Sequence, residues 1–353
     1  MRYYNLCIYS PGTDPSSQPV LQFASTTAPK RPGTPQSVPG GSPTDPFDPG
    51  ALDISFRFTQ ASLSKAEGST GGAFVTIKGV DITTINQASN LVNHTLILKA
   101  GMSKGLPLSN PNQVGTILHG TIQSSLGNWS GTEMDITFFV SSYQAPELDP
   151  TQISYIFHCP RGKSVKEMIK QTTFPAPHKP SIVFKAKEEP IALHDFIGCY
   201  TSFKELCVGY GDCWKQMSGN PLTVHISGQT ITFLDQFYER PIKKIDFNDL
   251  MGQPTWNGKN DITVTCPLRG DIQIGDLISL PSTTNYLGKY SGQFSAQKQT
   301  LPKNSSLFSG TFEVTDISYL GSFREKDGQQ WQSAITCNPH PSNDKKSLLR
   351  LPK

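Results

Sequence analysis

The stretch Leu98-Lys-Ala-Gly-Met-Ser-Lys-Gly-Leu-Pro-Leu-Ser-Asn-Pro-Asn-Gln-Val-Gly115, followed by His119-Gly-Thr-Ile-Gln-Ser-Ser-Leu-Gly-Asn-Trp-Ser-Gly-Thr132, decides how this chain is read. Gly101, Gly105, Pro107 and Pro111 punctuate it. Glycine reaches positive φ without steric penalty, and proline fixes φ at about −65°. The block therefore reads as strands joined by fixed turns. No set of residues in it has the look of chemistry.

Working outward, the neighbouring segments are also β. Arg2–Tyr9 predicts a first strand. Leu52, Ile54, Phe56 and Phe58 alternate with Asp53, Ser55, Arg57 and Thr59, and Ala73, Val75 and Ile77 repeat the pattern after Gly71-Gly72. Period two places one face in a core and the other in solvent or an interface. Asp81 is placed to cap a short helix with Ile82, Ile85, Ala88 and Val92 at helical spacings. Strands are predicted around Leu96–Lys99 and Thr116–Gln123, and Met134, Ile136, Phe138 and Val140 form a closing strand. Between Ser10 and Gly50 the chain is rich in Pro, Gly, Ser and Thr with few bulky residues. Such a segment does not repay its ordering entropy with a core of its own. It is read as a loop or arm, with docking on a neighbouring subunit as the functional alternative.

The middle is mixed. Ile153, Tyr155 and Phe157 suggest a strand, and Ser164 with Glu167 and Ser202 with Glu205 form capping boxes before two helices. Leu222, Val224 and Ile226, a turn at Gly228, then Ile231 and Phe233 signal a hairpin. The last third alternates again at Ile262, Val264 and Cys266, at Phe312 and Val314, and at Trp331, Ser333, Ile335 and Cys337. Ser282–Ser309 reads as a long loop and Asn338–Lys353 as a polar, poorly ordered end. The expectation is a mainly β chain with a smaller α+β part. It divides into 1–142 (with the insert 10–50), an α+β unit 143–238, a second β unit 239–338 and a tail 339–353.

Composition narrows the function. With 31 basic and 28 acidic residues the net charge is +3, which argues against a dedicated nucleic-acid binder. The basic pairs Lys243-Lys244 and Lys345-Lys346 read as solvated surface and frayed end. No apolar run of membrane-spanning length occurs, and Met1–Tyr9 lacks a signal-peptide core, so synthesis in the cytoplasm is expected. Seven cysteines, an odd number, suggest reduced thiols. Cys199, Cys207 and Cys213 near His194 raise zinc, but their spacings are wider than those of a compact zinc knuckle.

The remaining motifs resolve to turns or surface. Pro160-Arg-Gly-Lys-Ser164 ends like a phosphate loop, but Phe157 stands where the first glycine belongs. Arg269-Gly-Asp271 matches an adhesion tripeptide and reads as a plain turn at Gly270. The histidines at 94, 119, 158, 178, 194, 225 and 340 form no H-x-x-x-H pair. His194-Asp195 lacks a nearby nucleophile elbow. Asp235, Glu239, Asp246 and Asp249 read as surface or turn residues. Trp129, Trp256 and Trp331 read as core anchors, with an interface role as the alternative. No catalytic, cofactor-binding or metal residue is assigned, and no cofactor is expected.

In series, several segments resemble the baseplate hub (tail hub) proteins of contractile-tailed bacteriophages. They are the opening block, Gly71-Gly-Ala-Phe-Val-Thr-Ile-Lys-Gly79, Leu106-Pro-Leu108, Gly127–Thr132, Phe247–Trp256, Cys266–Asp276 and Gly321-Ser-Phe-Arg324 with Trp331. The matches run in order from about Ala51 to Cys337; the Ser10–Gly50 insert stands outside them. The resemblance implies two tube-type β-barrel-like domains flanking the α+β domain, and a homotrimer with pseudo-sixfold symmetry. It further implies a tail tube or tube-initiator protein on one side, a spike protein on the other and baseplate wedge proteins around it. DNA would pass through the bore without specific binding, in the tail baseplate of a virion, with no membrane contact. Polar and acidic side chains are expected to line that bore. The rival readings are the hub of a related contractile injection system, a cell-wall hydrolase and a glycan-binding tail component.

Overall fold

The computed structural model describes residues 1–13, 16–26, 50–63, 72–103, 113–141, 155–172, 181–228, 230–257, 261–281 and 310–340. The first third holds β1 (Arg2–Tyr9), β2 (Leu21–Ala24), β3 (Asp53–Ala61), β4 (Ala73–Lys78), the short helix α1 (Ile82–Asn86), β5 (Thr95–Met102), β6 (Gly115–Ser130) and β7 (Glu133–Ser141). The middle holds β8 (Tyr155–Cys159), α2 (Val165–Gln171), β9 (Ser181–Lys185), β10 (Phe196–Tyr200), α3 (Phe203–Ser218), β11 (Leu222–Ser227) and β12 (Thr230–Asp235). The last third holds β13 (Ile242–Lys244), β14 (Thr255–Trp256), β15 (Ile262–Pro267), β16 (Leu277–Ser279), β17 (Thr311–Ser322) and β18 (Trp331–Pro339). The chain is mainly β with a smaller α+β part.

The first and last thirds share one sheet. Its order is β14-β15-β18-β17-β3-β4-β7-β6-β5-β1-β2, with β16 also on β17 and β13 on β16. The join is β3 against β17, antiparallel, from Asp316 opposite Ala61 to Ser322 opposite Ser55. β17 can serve both halves because it is long: its first residues pair with β16 and its later ones with β3.

Period-two alternation explains why the sheet has one dry side. Ile54, Phe56, Phe58, Val75, Ile77, Ile136, Phe138 and Val140 are buried on the same side as Ile262, Val264, Val314, Ile317, Tyr319, Ile335 and Cys337. These residues form one apolar cluster drawn from both halves of the chain. The sheet bends around it, so that Trp331 on β18 donates its indole N–H to the Gly101 carbonyl on β5 (3.1 Å). Phe56 and Phe323 pack edge-on against the Trp331 ring. Arg2 reaches across to the carbonyls of Ser322 (2.6 Å) and Phe323 (3.1 Å), closing β1 onto the end of β17.

The middle of the chain has its own core, with Phe157, Leu206, Tyr210, Trp214, Val224 and Phe233 among its buried members. α3 forms where Ser202 accepts from the Glu205 amide (3.2 Å), and it stops at Gly219 in the left-handed region (φ 78°). β11 and β12 pair as the hairpin expected, turning at Gly228 (φ 59°).

Several expectations are corrected. Gly101 lies inside β5 and Gly127 inside β6 rather than in turns, and Gly131 (φ 61°) makes the turn into β7. Gly127 is small because α1 crosses it: a Cβ would sit 2.7 Å from Ile85 Cγ2. α1 itself is a single short turn and leaves Ile82 exposed, although Asp81 caps it through the Thr84 amide (2.9 Å) as expected. The Ser10–Gly50 insert is not wholly an arm, because Leu21–Ala24 pairs with β1, and Leu21 and Phe23 pack against the main core. Asn338 and Pro339 belong to β18, and the His340 amide donates to Thr311 O (2.8 Å), so that end of the tail is built in. Gly105, Pro107, Pro111, Leu106-Pro-Leu108, the loop 282–309 and the tail beyond His340 lie outside the described residues.

Candidate assembly surface

The side of the sheet away from the core is a nearly continuous field of small polar residues. Along β15, β18, β17, β3, β4 and β7 the outward positions include Thr263, Thr265, Thr336, Ser318, Thr59, Ser55, Thr76 and Thr137. The registers bring them into rows across the strands: Thr336 faces Thr263, Ser318 faces Thr59, and Thr76 faces both Ser55 and Thr137. Neighbouring hydroxyls bond to one another, Thr59 to Ser318 at 2.8 Å and Thr76 to Thr137 at 2.9 Å. Such cross-strand pairs support the sheet without apolar burial on that side. Arg57 and Lys78 are spaced among them with the acidic Asp53, Glu133, Asp135 and Asp316. Apolar exceptions are Phe74 with Phe139 (rings 5.0 Å apart) and Leu126 toward the β6–β7 end, and Leu320 and Ala334 on β17 and β18.

At that end the β6–β7 hairpin carries Trp129, which is 67% exposed and donates its indole N–H to the Gly131 carbonyl (2.9 Å). Core anchoring is thus wrong for Trp129. It holds for Trp331, which is buried, while Trp256 is half-buried against Phe312.

The surface keeps its shape because a buried ionic knot ties the two halves together behind it. Arg269 is fully buried and makes a two-pronged contact with Asp271, both nitrogens at 2.8 Å, with Asp249 3.5 Å away. Gln113 of the first third donates to Asp249 (3.3 Å), and the Gly270 amide donates to Gln113 O (2.9 Å). Gly270 and Gly115 meet backbone to backbone: a Cβ on Gly115 would lie 2.0 Å from Gly270 O. Gly270 does turn the chain, and Arg269 and Asp271 on either side of it also form this buried contact. Asp249 and Asp235 are buried rather than surface residues, Asp235 accepting from the Glu188 and Phe237 amides at 3.1 Å. Local sequence gave no signal for this, since a buried carboxylate and an exposed one look alike until the partner is found. Lys243 is likewise no free surface cation, since it pairs with Asp276 at 2.6 Å.

The remaining motifs stay apart. Gly162 (φ 81°) turns the chain from β8 into α2, and the Arg161 amide donates to Asp195 (2.7 Å) rather than facing an open cradle. Asp195 thus serves a turn beside His194. Cys199 is exposed, whereas Cys207 and Cys213 are buried in α3, and burial pushes the Cys207 and Cys213 thiols up, Cys213 to about 12. Among the described residues no group of three His, Cys, Asp or Glu side chains is placed to hold a metal. Among them, too, no helix is long and apolar enough to cross a membrane.

No protein-family profile matches the chain, and no curated protein matches it. Solved structures do. The chain is similar to the tail protein from Neisseria meningitidis MC58 at 9% identity and TM-score 0.47, covering 82% of this chain and 96% of that one. It is similar to the 43 kDa tail protein of prophage MuSo2 from Shewanella oneidensis at 9% identity and TM-score 0.45, covering 82% and 98%. It is also similar to the E. coli c3393 protein, described as a type VI secretion component with structural similarity to T4 tail proteins gp27 and gp5. That match has 9% identity and TM-score 0.43 and covers 82% and 74%.

Proposed function

We propose that this chain is a non-enzymatic structural protein of a contractile tail, a baseplate hub. In this reading three copies form a ring that joins the tail tube to the spike and surrounds the DNA channel. The observation that carries the reading is the single sheet running through both halves of the chain, apolar on one side and carpeted with Ser and Thr on the other. The sequence resemblance in series supports it. The reading divides the chain into tube-type β units 1–142 and 239–338 around an α+β unit 143–238, with the two β units fused edge to edge through β3 and β17.

The dimensions suit a conduit. Seven strands from β15 to β6 at about 4.8 Å per strand span roughly 34 Å, so three copies give a ring of about 100 Å circumference and about 32 Å diameter at the backbone. Strand tilt widens this further, leaving room for a duplex. The chemistry suits sliding. Each phosphate neutralised by Lys or Arg adds salt-dependent affinity, and hydroxyls among more acidic than basic side chains do not supply that grip. The apolar side is the chain's own core, and the exposed Trp129 hairpin then faces protein neighbours.

The test uses the full chain. Mass measurement in solution is expected to give three times the chain mass, and wild type is expected to leave duplex DNA unbound at physiological salt. Thr59→Lys with Ser318→Lys, three copies of each around the bore, is expected to create salt-sensitive DNA retention. Tight duplex binding by the wild type, or no gain in the double variant of a trimeric preparation, overturns the reading.

A further inference from the structure

The α+β unit meets the main sheet along a seam that contains two imidazoles. The seam is built mainly by β11. Its Val224 carbonyl accepts from the Leu63 amide (2.7 Å) and the Ser62 hydroxyl (3.1 Å), both just past β3. Thr223 donates to Glu313 of β17 (2.7 Å). At the hairpin turn the Gly228 amide donates to the His119 carbonyl of β6 (3.1 Å). The His119 ring lies so close over Gly228 that a Cβ there would be 2.4 Å from His119 Cε1. Alternation along β11 puts His225 on the same side as Thr223, away from Leu222 and Val224. Its Nδ1 is buried with no hydrogen-bond partner among the described residues.

Charges around the pair do little to favour protonation. His225 faces Lys185 of β9, which opposes a second positive charge, and Asp276, which favours it. Asp276 is already paired with Lys243 (2.6 Å), and Glu313 on the same seam lies 3.6 Å from Arg240. Burial lowers the proton affinity of His119, with no charged group acting on it among the described residues.

We propose that this seam is an acid-sensitive hinge: protonation of His225 and His119 undocks the β11–β12 hairpin from the main sheet while the sheet itself stays folded. A docked imidazole is half-buried, with His225 Nδ1 out of reach of water, and loses hydration that its protonated form needs, whereas an undocked one is hydrated in either form. The sign follows from linkage. Burial, first, and then Lys185 lower the His225 value from 6.5 to about 4. The undocked state therefore binds the extra proton, and docking weakens as pH falls from 6.5 through about 4, with no further loss below. From this gap alone, the docked-to-undocked ratio is expected to fall about 30-fold between pH 7.5 and 5 and roughly 300-fold at the limit.

The experiment is hydrogen exchange of the full-length protein at pH 7.5, 6 and 5, with amides of β3 and β17 as internal reference for the intrinsic rate. Seam amides, Leu63, Gly228 and the β11–β12 ladder, are expected to gain exchange relative to that reference on acidification. His119→Gln with His225→Gln is expected to flatten the response. Parallel opening of seam and sheet, or an unchanged response in the double variant, overturns the proposal. If the double variant does not fold, the wild-type imidazole resonances decide: a His225 that titrates near 6.5 refutes the hinge, and one that titrates near 4 supports it.

Discussion

Replacing Arg269 by Met tests whether the ionic knot ties the two halves together. Arg269 and Asp249 are both essentially inaccessible, and Asp271 is mostly buried. Removing the cation leaves the Asp249 carboxylate buried beside the neutral donors Gln113 Nε2 and the Asp246 amide, both at 3.3 Å. Methionine roughly preserves the volume, so cavity formation contributes little. Breaking a buried pair from one side costs about 3–5 kcal/mol, because the surviving charge keeps its desolvation penalty. For a chain of this size that corresponds to a fall of roughly 6–10 °C in midpoint, at about 2 °C per kcal/mol. Urea unfolding of Arg269→Met, Asp249→Asn and the double variant measures it. The neutral amide of Asn removes the orphaned charge, so the double variant is expected to recover at least half of the loss, a coupling that only neighbours show. Costs that simply add, or an Arg269→Met loss under about 1 kcal/mol, would refute the reasoning and reduce the knot to packing.

Two further outcomes concern other parts of the fold. Gly115→Ala is expected to abolish soluble folding or cost several kcal/mol, since its Cβ meets the rigid Gly270 carbonyl at 2.0 Å; Gly131→Ala, with a φ of 61° but open space around it, is expected to cost only about 1 kcal/mol by the same urea assay. Under native conditions a thiol reagent is expected to modify Cys199 rapidly and the other six cysteines only on unfolding, because those six are buried and burial pushes thiols such as Cys266 and Cys337 up to about 12; mass mapping that finds Cys207 or Cys266 labelled as quickly would contradict the packing.

Local pattern located the longer strands and helices, but not β2, β9, β10, β13, β14 or β16. Alternation at Ile54–Phe58, Ala73–Ile77, Ile136–Val140, Ile262–Cys266 and Trp331–Cys337 located strands and chose the buried side of each. Asp81, Ser164 and Ser202 marked helix starts. These are local effects, because period and capping are set by residues within a few positions of one another. Which strands pair was not local. Nothing near Thr59 announces Ser318, and nothing near Gly115 announces Gly270, although each pair is in contact. Gly101 and Gly127, read as turn residues, proved to be sites of close approach inside strands, since a missing Cβ serves either purpose and only the neighbour tells which. The same holds for charge: Asp249 read as a surface or turn residue and Arg269 as part of a turn until folding buried both, Arg269 bonded to Asp271 and 3.5 Å from Asp249. The Ser/Thr face became a surface only when β3 met β17 and brought rows from opposite ends of the chain into one sheet. A row of alternating hydroxyls is legible residue by residue, but its extent is a property of strand order, which long-range pairing alone decides.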